Sequence, residues 1–319
     1  MDRTEAYRLL ALSREAEWAF PTSYGESNLT APGAEWVQRL LFEREAFAEA
    51  VRWLVVNGDG VAAAEIAANA WRLWLLAGDR DGGRAFLQPV VDDHDTRPTP
   101  WRAEALYGAG LIAIKQGSRE ESLARNEEAL AVADEVGDPA GRTFGLLGLS
   151  RIAVADGDAE RGRHLASSAL DAARELPPRM RQALPHMLAQ ATRLGGDLDR
   201  AAELFAESLA LNRSIGDQGM VPVELHNLGH VESRRGNAAA AEALFAEAEG
   251  LSRPDDPYDA AMTGLNRAFV AFARGDAGEA DRLLAGVRSS LDDAGIELAQ
   301  DDAAELDWLA SRISEARAG

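Results

Sequence analysis

Apolar residues in this chain recur three and four positions apart, as they do along one face of a helix, and no strand-like alternation of any length interrupts them. The pattern is punctuated by glycine followed by a short polar residue: Gly78-Asp79, Gly117-Ser118, Gly157-Asp158, Gly196-Asp197, Gly236-Asn237 and Gly275-Asp276, spaced 39, 40, 39, 40 and 39 apart. Glycine takes the left-handed conformation that ends one helix, and Asp, Ser or Asn caps the open N–H groups of the next. Each pair therefore predicts a helix-turn-helix corner.

When the six blocks are superposed on that glycine, their flanks agree. Five residues after it stand Gly83, Ser122, Gly162, Ala201, Ala241 and Ala280, and twelve after it Val90, Ala129, Ala169, Ser208, Ala248 and Val287. Both sets are compact, so a second helix presses closely on a neighbour. Phe86, Leu87, Leu165, Leu204, Phe205, Leu244, Phe245, Leu283 and Leu284 supply its apolar stripe, while the second block departs with Arg125 and Asn126 and uses Leu123 and Leu130. Before the glycine, Leu106, Leu146, Leu149, Leu188, Leu225 and Leu228 share a face of the first helix. Prolines cluster in the joints between blocks, as in Arg97-Pro98-Thr99-Pro100 and Leu176-Pro177-Pro178; Pro89 and Pro185 are the exceptions, each expected to end or kink its helix.

The result is an all-α solenoid of six two-helix repeats over residues 61–292, between an N-terminal helical cap (1–60) and a C-terminal capping helix (293–319), in one continuous domain. The N-terminal cap should hold a helix from about Thr4 to Phe20 and a loop to residue 33; Leu298 to Ala316 should form the final helix, with Leu298, Leu306, Leu309 and Ile313 along one side and acids elsewhere.

Val221 to Asn237 resembles the first helix of a tetratricopeptide repeat, with Leu228-Gly229 at its Leu-Gly signature and Gly236 at its turn glycine. That family forms right-handed superhelices with a usual period of about 34 residues. The longer register here is similar to the repeats of large bacterial regulators of the maltotriose-responsive and signal-transduction ATPase kind. Trp36-Val37-Gln38-Arg39-Leu40 through Trp53-Leu54 and Asn57-Gly58-Asp59 is similar to the helix that opens the array in the actinobacterial members. Neither a Walker-type glycine loop nor a helix-turn-helix DNA reader accompanies these repeats, so the ATP and DNA chemistry of those regulators does not carry over.

Charge narrows the functions. Lys and Arg number 33 against 53 Asp and Glu, a formal charge of −20, which argues against a nucleic-acid partner. Lys115 is the only lysine, a chain-wide bias toward arginine. The absence of cysteine excludes disulfides, thiolate metal sites and a cysteine nucleophile. With no export signal and no apolar run of membrane length, a cytoplasmic protein with no membrane partner is expected.

The resemblance implies that the first helices line a concave wall, and offsets from each turn glycine name the side chains there. Arg72, Lys115, Arg151, Arg193 and Arg234 face only Glu65 and Glu104, with His186, His226 and His230 beside them, so a locally basic groove is expected in an acidic molecule. Tyr107 and Gln190 stand at the same offsets. Asn69, Asn227 and Asn266 occupy the position where peptide-binding members pair with the ligand backbone; Gly108, Gly148 and Met187 fill it in the other blocks. The sixth block is apolar there, with Met262, Leu265, Phe269 and Phe272, Phe269 and Phe272 serving either as a hydrophobic anchor or as core under the final helix. The histidine trio lacks a fourth ligand and a His-Glu-x-x-His pattern, because Glu224 points elsewhere, so ring stacking or anion contact is expected in place of a metal. Glu232 occupies a slot normally apolar, and an Arg of an adjacent repeat is its expected partner.

Two functions follow from this wall. One is a non-catalytic scaffold holding an anionic or C-terminal-carboxylate-bearing protein or peptide segment, without cofactor. The other is a small-molecule sensor whose ligand alters superhelix curvature and acts on a partner in trans.

Overall fold

Gly78, Gly117, Gly157, Gly196, Gly236 and Gly275 all take left-handed φ angles, between 70° and 84°, in a computed structural model that describes residues 1–17, 35–217, 219–252, 256–298 and 300–318. The corners are where the sequence puts them. Asp79, Asp158, Asp197 and Asp276 each accept a backbone N–H three residues on, capping the second helix. Ser118 and Asn237 make no such bond. Asn237 instead donates its Nδ2 to Glu232 Oε2 at 2.6 Å.

The chain divides into two compact units, Met1–Ala191 and Thr192–Gly319. In the first, α1 (Arg3–Glu17), α2 (Glu35–Phe42) and α3 (Arg44–Val56) precede the hairpins. The expected residues 18–20 of the first helix and the loop to 33 lie outside the described residues. Three hairpins follow: α4 (Gly60–Ala70) and α5 (Arg72–Leu76) with α6 (Arg80–Val91), α7 (Pro100–Lys115) with α8 (Arg119–Val136), and α9 (Pro139–Ala155) with α10 (Ala159–Ala172). The short α11 (Pro178–Arg181) leads into α12 (Ala183–Leu194), within which the division falls.

In the second unit, α13 (Leu198–Ile215) completes the fourth hairpin. The fifth pairs α14 (Met220–Arg234) with α15 (Ala238–Glu249), the sixth α16 (Pro257–Ala273) with α17 (Ala277–Ala294), and α18 (Gln300–Ala318) ends the chain. No strand occurs among the described residues.

Both exceptional prolines have a local reading. Pro185 is the third residue of α12, where a missing N–H is tolerated, and the break falls just before it, at Gln182. Pro89 lies inside α6, which ends two residues later. There the buried Arg102 of α7 donates to the carbonyls of Val90 (2.8 Å), Val91 (3.3 Å) and Asp93 (2.5 Å), and to Glu128 at 3.0 Å. A side chain of the next hairpin thus satisfies the open end of α6.

The first unit's core is built on Phe47, Leu54, Ile66, Trp71, Trp74 and Phe86, all essentially inaccessible. The second is built on Phe245, Leu265, Phe269, Leu284 and Leu309. Asn126, apolar in other blocks, is buried against two glycines: a Cβ on Gly148 would fall 1.8 Å from its Oδ1, and one on Gly110 2.4 Å from its Nδ2.

Candidate functional site

Val221, Leu225 and Leu228 bury one side of α14, which turns His226, His230 and Arg234, four residues apart, onto another. In the second unit that face meets Arg193 from the last turn of α12, Asn266 and Phe269 of α16, and Glu305 and Trp308 of α18. Arg193 Nη1 lies 2.9 Å from Glu305 Oε1 and donates to Asn227 Oδ1 at 2.8 Å; Arg234 Nη2 donates to Glu305 Oε2 at 2.5 Å. One carboxylate, 3% exposed, is therefore shared by two arginines from successive repeats. The Arg234 guanidinium stacks over Trp308 at 4.0 Å, and that indole lies parallel to Phe269, centroids 5.8 Å apart. Tyr258 O–H donates to Asp302 at 2.5 Å, one turn before Glu305.

The two histidines of α14 meet each other through Asn266. Its Nδ2 donates to His226 Nδ1 at 2.7 Å and its Oδ1 accepts from His230 Nε2 at 3.1 Å. That assignment makes the His226 ring neutral, protonated on Nε2, and places a proton on Nε2 of His230. His230 also stacks on Phe269, centroids 4.3 Å apart. No group of three His, Asp or Glu among the described residues is arranged to hold a metal ion.

Burial holds His230 well below the usual imidazole range, with His226, Arg193 and Arg234 pushing the same way and Asn266 opposing. Burial also lowers His226, against its bond to Asn266 and the charge of Asp259. Asp302 is shifted upward by burial, against the bond from Tyr258.

The signs give opposite pH responses. A depressed histidine stabilises fully above its unfolded value of 6.5, and that contribution is lost as pH falls toward the folded value; the raised Asp302 favours the fold less as pH rises from 3.8. The histidine contribution is therefore expected to lower the melting temperature of the second unit as pH falls from 7 to 5.5. His230→Phe should flatten this dependence; an unchanged slope in the variant would remove His230 as its source.

In the first unit most of the expected wall residues are engaged as well. Asn69 donates to Ser13 Oγ of α1 at 3.2 Å, and Glu65 is held bidentately by Arg14. Arg72 lies 2.7 Å from Glu104 and over the Trp71 ring at 4.4 Å. Tyr107 stacks on Phe144 at 5.2 Å and meets Trp71 edge-on at 6.0 Å. Gly108 makes room for the Trp71 ring, 2.8 Å from where a Cβ would stand. His186 pairs with Gln190 at 3.0 Å. Arg151 is partly exposed, and among the described residues it has no ion-pair partner.

Several expectations need correction. The wall was to carry five cations against two anions, but Arg72, Arg193 and Arg234 are ion-paired, and the anion on the last two, Glu305, was missed. It lies on the apolar side of α18 with Leu306, Leu309 and Ile313, where only apolar residues were expected. The spacing 302, 305, 309 was the available signal. Asn69 and Asn266 do not present free amides, and Asn227 Nδ2 donates to Val223 O of its own helix at 2.9 Å. Phe269 is fully buried, packed beneath α18 as core. Glu232, its side chain 12% exposed, bonds Arg235 of its own repeat at 2.6 Å, which reaches Asp199 of the preceding one at 2.7 Å. The fully buried carboxylate is instead Glu224, which accepts from Ser208 at 2.8 Å.

These stacked hairpins with left-handed glycine corners and capping helices define a tetratricopeptide-type all-α solenoid. No protein-family model matches the chain. No curated protein matches it in sequence. Among solved structures, it is similar to a Rap protein complexed with competence and sporulation factor (TM-score 0.61, 12% identity, 98% of each chain covered). It is also similar to NprR in complex with its cognate peptide NprX (0.55, 16% identity, 86% of this chain and 82% of that one). A third is a signal transduction ATPase with numerous domains and a tetratricopeptide repeat sensor, from Pyrococcus horikoshii (0.55, 15% identity, 92% of this chain and 54% of that one). At such identities the likeness is one of fold. No helix among the described residues is long and apolar enough to cross a membrane.

Proposed function

We propose that this chain is a non-catalytic protein- or peptide-binding scaffold acting in bacterial regulation, with residues 61–292 as its repeat array. The likeness to the Rap and NprR complexes, each of which holds a peptide or factor, supports the class of ligand. The observation that carries the reading is the convergence of Arg193 and Arg234, from successive repeats, on one carboxylate. Two guanidiniums whose charge is taken up by a single acid form a seat for an anionic segment, and planar N–H forks suit a carboxylate better than an ammonium would. Arg151 supplies a further cation on the corresponding face of the first unit.

Fluorescence anisotropy with a panel of labelled peptides, acidic ones against their Gln and C-terminally amidated counterparts, tests the reading. Acidic peptides should bind preferentially, and more weakly as salt rises from 50 to 300 mM (about 14 to 6 Å of screening length). Arg193→Ala with Arg234→Ala should cost at least about tenfold in affinity, or about 1.4 kcal/mol. Binding indifferent to both arginines would defeat the proposal.

A further inference from the structure

We infer that α18 is an internal ligand of the second unit, seated where an external partner docks, and that the partner is a helical acidic segment carrying an aromatic residue three positions after its carboxylate. The inference rests on the scaffold reading and adds to it what the seat recognises and what keeps it closed.

A helix that only shielded the last repeat would need an apolar stripe, and α18 has one in Leu306, Leu309 and Ile313. Shielding does not require Glu305. Burying a carboxylate with two guanidiniums costs desolvation that apolar residues of similar size avoid, so such a network sets register and specificity more than stability. Its partners, Arg193 on α12 and Arg234 on α14, belong to the fourth and fifth hairpins, beyond the sixth hairpin that a terminal cap has to cover. Trp308, one turn on, carries the Arg234 guanidinium over its ring at 4.0 Å and lies parallel to the Phe269 ring, centroids 5.8 Å apart. Asp302, one turn back, receives the Tyr258 hydroxyl.

Acid, carboxylate and indole at 302, 305 and 308 thus occupy three matched receptors: a tyrosine hydroxyl, an arginine pair and a cation–aromatic slot. A partner helix presenting the same three groups would replace α18 contact for contact. The pocket fixes its ligand chemistry, because a helix with Gln at the middle position leaves two buried guanidiniums unneutralised.

The seat is therefore closed in the isolated chain. A tethered segment enjoys an effective concentration on the order of millimolar, so an added ligand of equal chemistry competes poorly until α18 is weakened or the ligand is better. The apparent affinity for any such partner is reduced by the fraction of time the seat stands open.

The probe is a fluorescein-labelled peptide of residues 300–318, added to the full chain and followed by anisotropy. The full chain with Glu305→Gln and Trp308→Ala should bind it at least about tenfold more tightly than the unaltered chain. Replacing Glu305 of the peptide by Gln, or adding Arg193→Ala and Arg234→Ala to the chain, should remove that gain. Hydrogen exchange on the unaltered chain gives a second readout independent of the variants' folding: saturating peptide should release the α18 amides of the chain while those of α14 and α16 stay protected. Equal affinity of the two chains, or undiminished binding of the Gln peptide, overturns the proposal. If acidic peptides bind through the arginines while α18 keeps its protection, the internal-ligand proposal falls and the scaffold stands; if no acidic peptide binds either chain, both fall.

Discussion

Arg102→Ala is expected to destabilise the first unit by about 3–5 kcal/mol, among the largest effects of any single change in this chain. The side chain is 5% exposed and its guanidinium serves three carbonyls at the end of α6 together with Glu128. Alanine leaves those carbonyls without the donor that replaced their helical partners, and leaves Glu128 with only Arg125, at 3.1 Å, as its counter-charge. Each lost bond to a charged donor contributes about 1.5–3 kcal/mol in isolation, and the total is smaller than the sum because water reaches part of the site. Guanidinium chloride unfolding followed by circular dichroism should show the first unit's transition moving to lower denaturant. Arg102→Lys should recover less than half of the loss, since an ammonium cannot fork across Val90, Val91 and Glu128 together. A loss below about 1 kcal/mol for the alanine variant would mean that the end of α6 is satisfied in another way.

Trp74→Ala should cost a comparable amount, about 3–5 kcal/mol, by a different mechanism. The indole is 1% exposed and stacks on Phe86 with centroids 3.9 Å apart, tying α5 to α6 within the first hairpin. Removing it deletes the transfer energy of a large side chain and opens a cavity that rigid helices cannot collapse to fill. The neighbouring Gly82 and Gly83 leave the indole room, because a Cβ on Gly82 would stand 2.7 Å from the ring's Cδ1 and one on Gly83 3.0 Å from the Trp74 Cβ. Trp74→Phe keeps the stack and should lose roughly half as much. Thermal unfolding of both variants distinguishes the cases, and equal losses for Ala and Phe would exclude the cavity as the cause.

The hairpins were legible because their signal is local and repeated. A glycine that must take a positive φ, followed by a short polar residue that in four of the six is a capping aspartate, marks each corner without reference to the rest of the chain. The faces of the first helices were legible too, which is why His226, His230 and Arg234 fall together as their spacing demands. What the sequence hid is what lies across from those faces. Nothing in the period says that α1 brings Ser13 and Arg14 to Asn69 and Glu65, or that Glu305 reaches Arg193 over more than a hundred residues of chain. Helical spacing says that side chains share a side and does not say what covers it. Similarly, Asn126 reads as a departure from the repeat until two glycines on neighbouring helices are seen to make room for it.

Exposed ion pairs join residues about one repeat apart: Arg119 with Asp156, Arg213 with Glu247, Arg274 with Glu242 and Arg317 with Asp281. Each is worth little to stability, and at molar salt, where the screening length shrinks to about 3 Å, they loosen while the apolar seams between hairpins do not. Adjacent hairpins then remain stacked but rock more freely about their seams. Within each unit, rising ionic strength is thus expected to loosen the joints between hairpins without unstacking them.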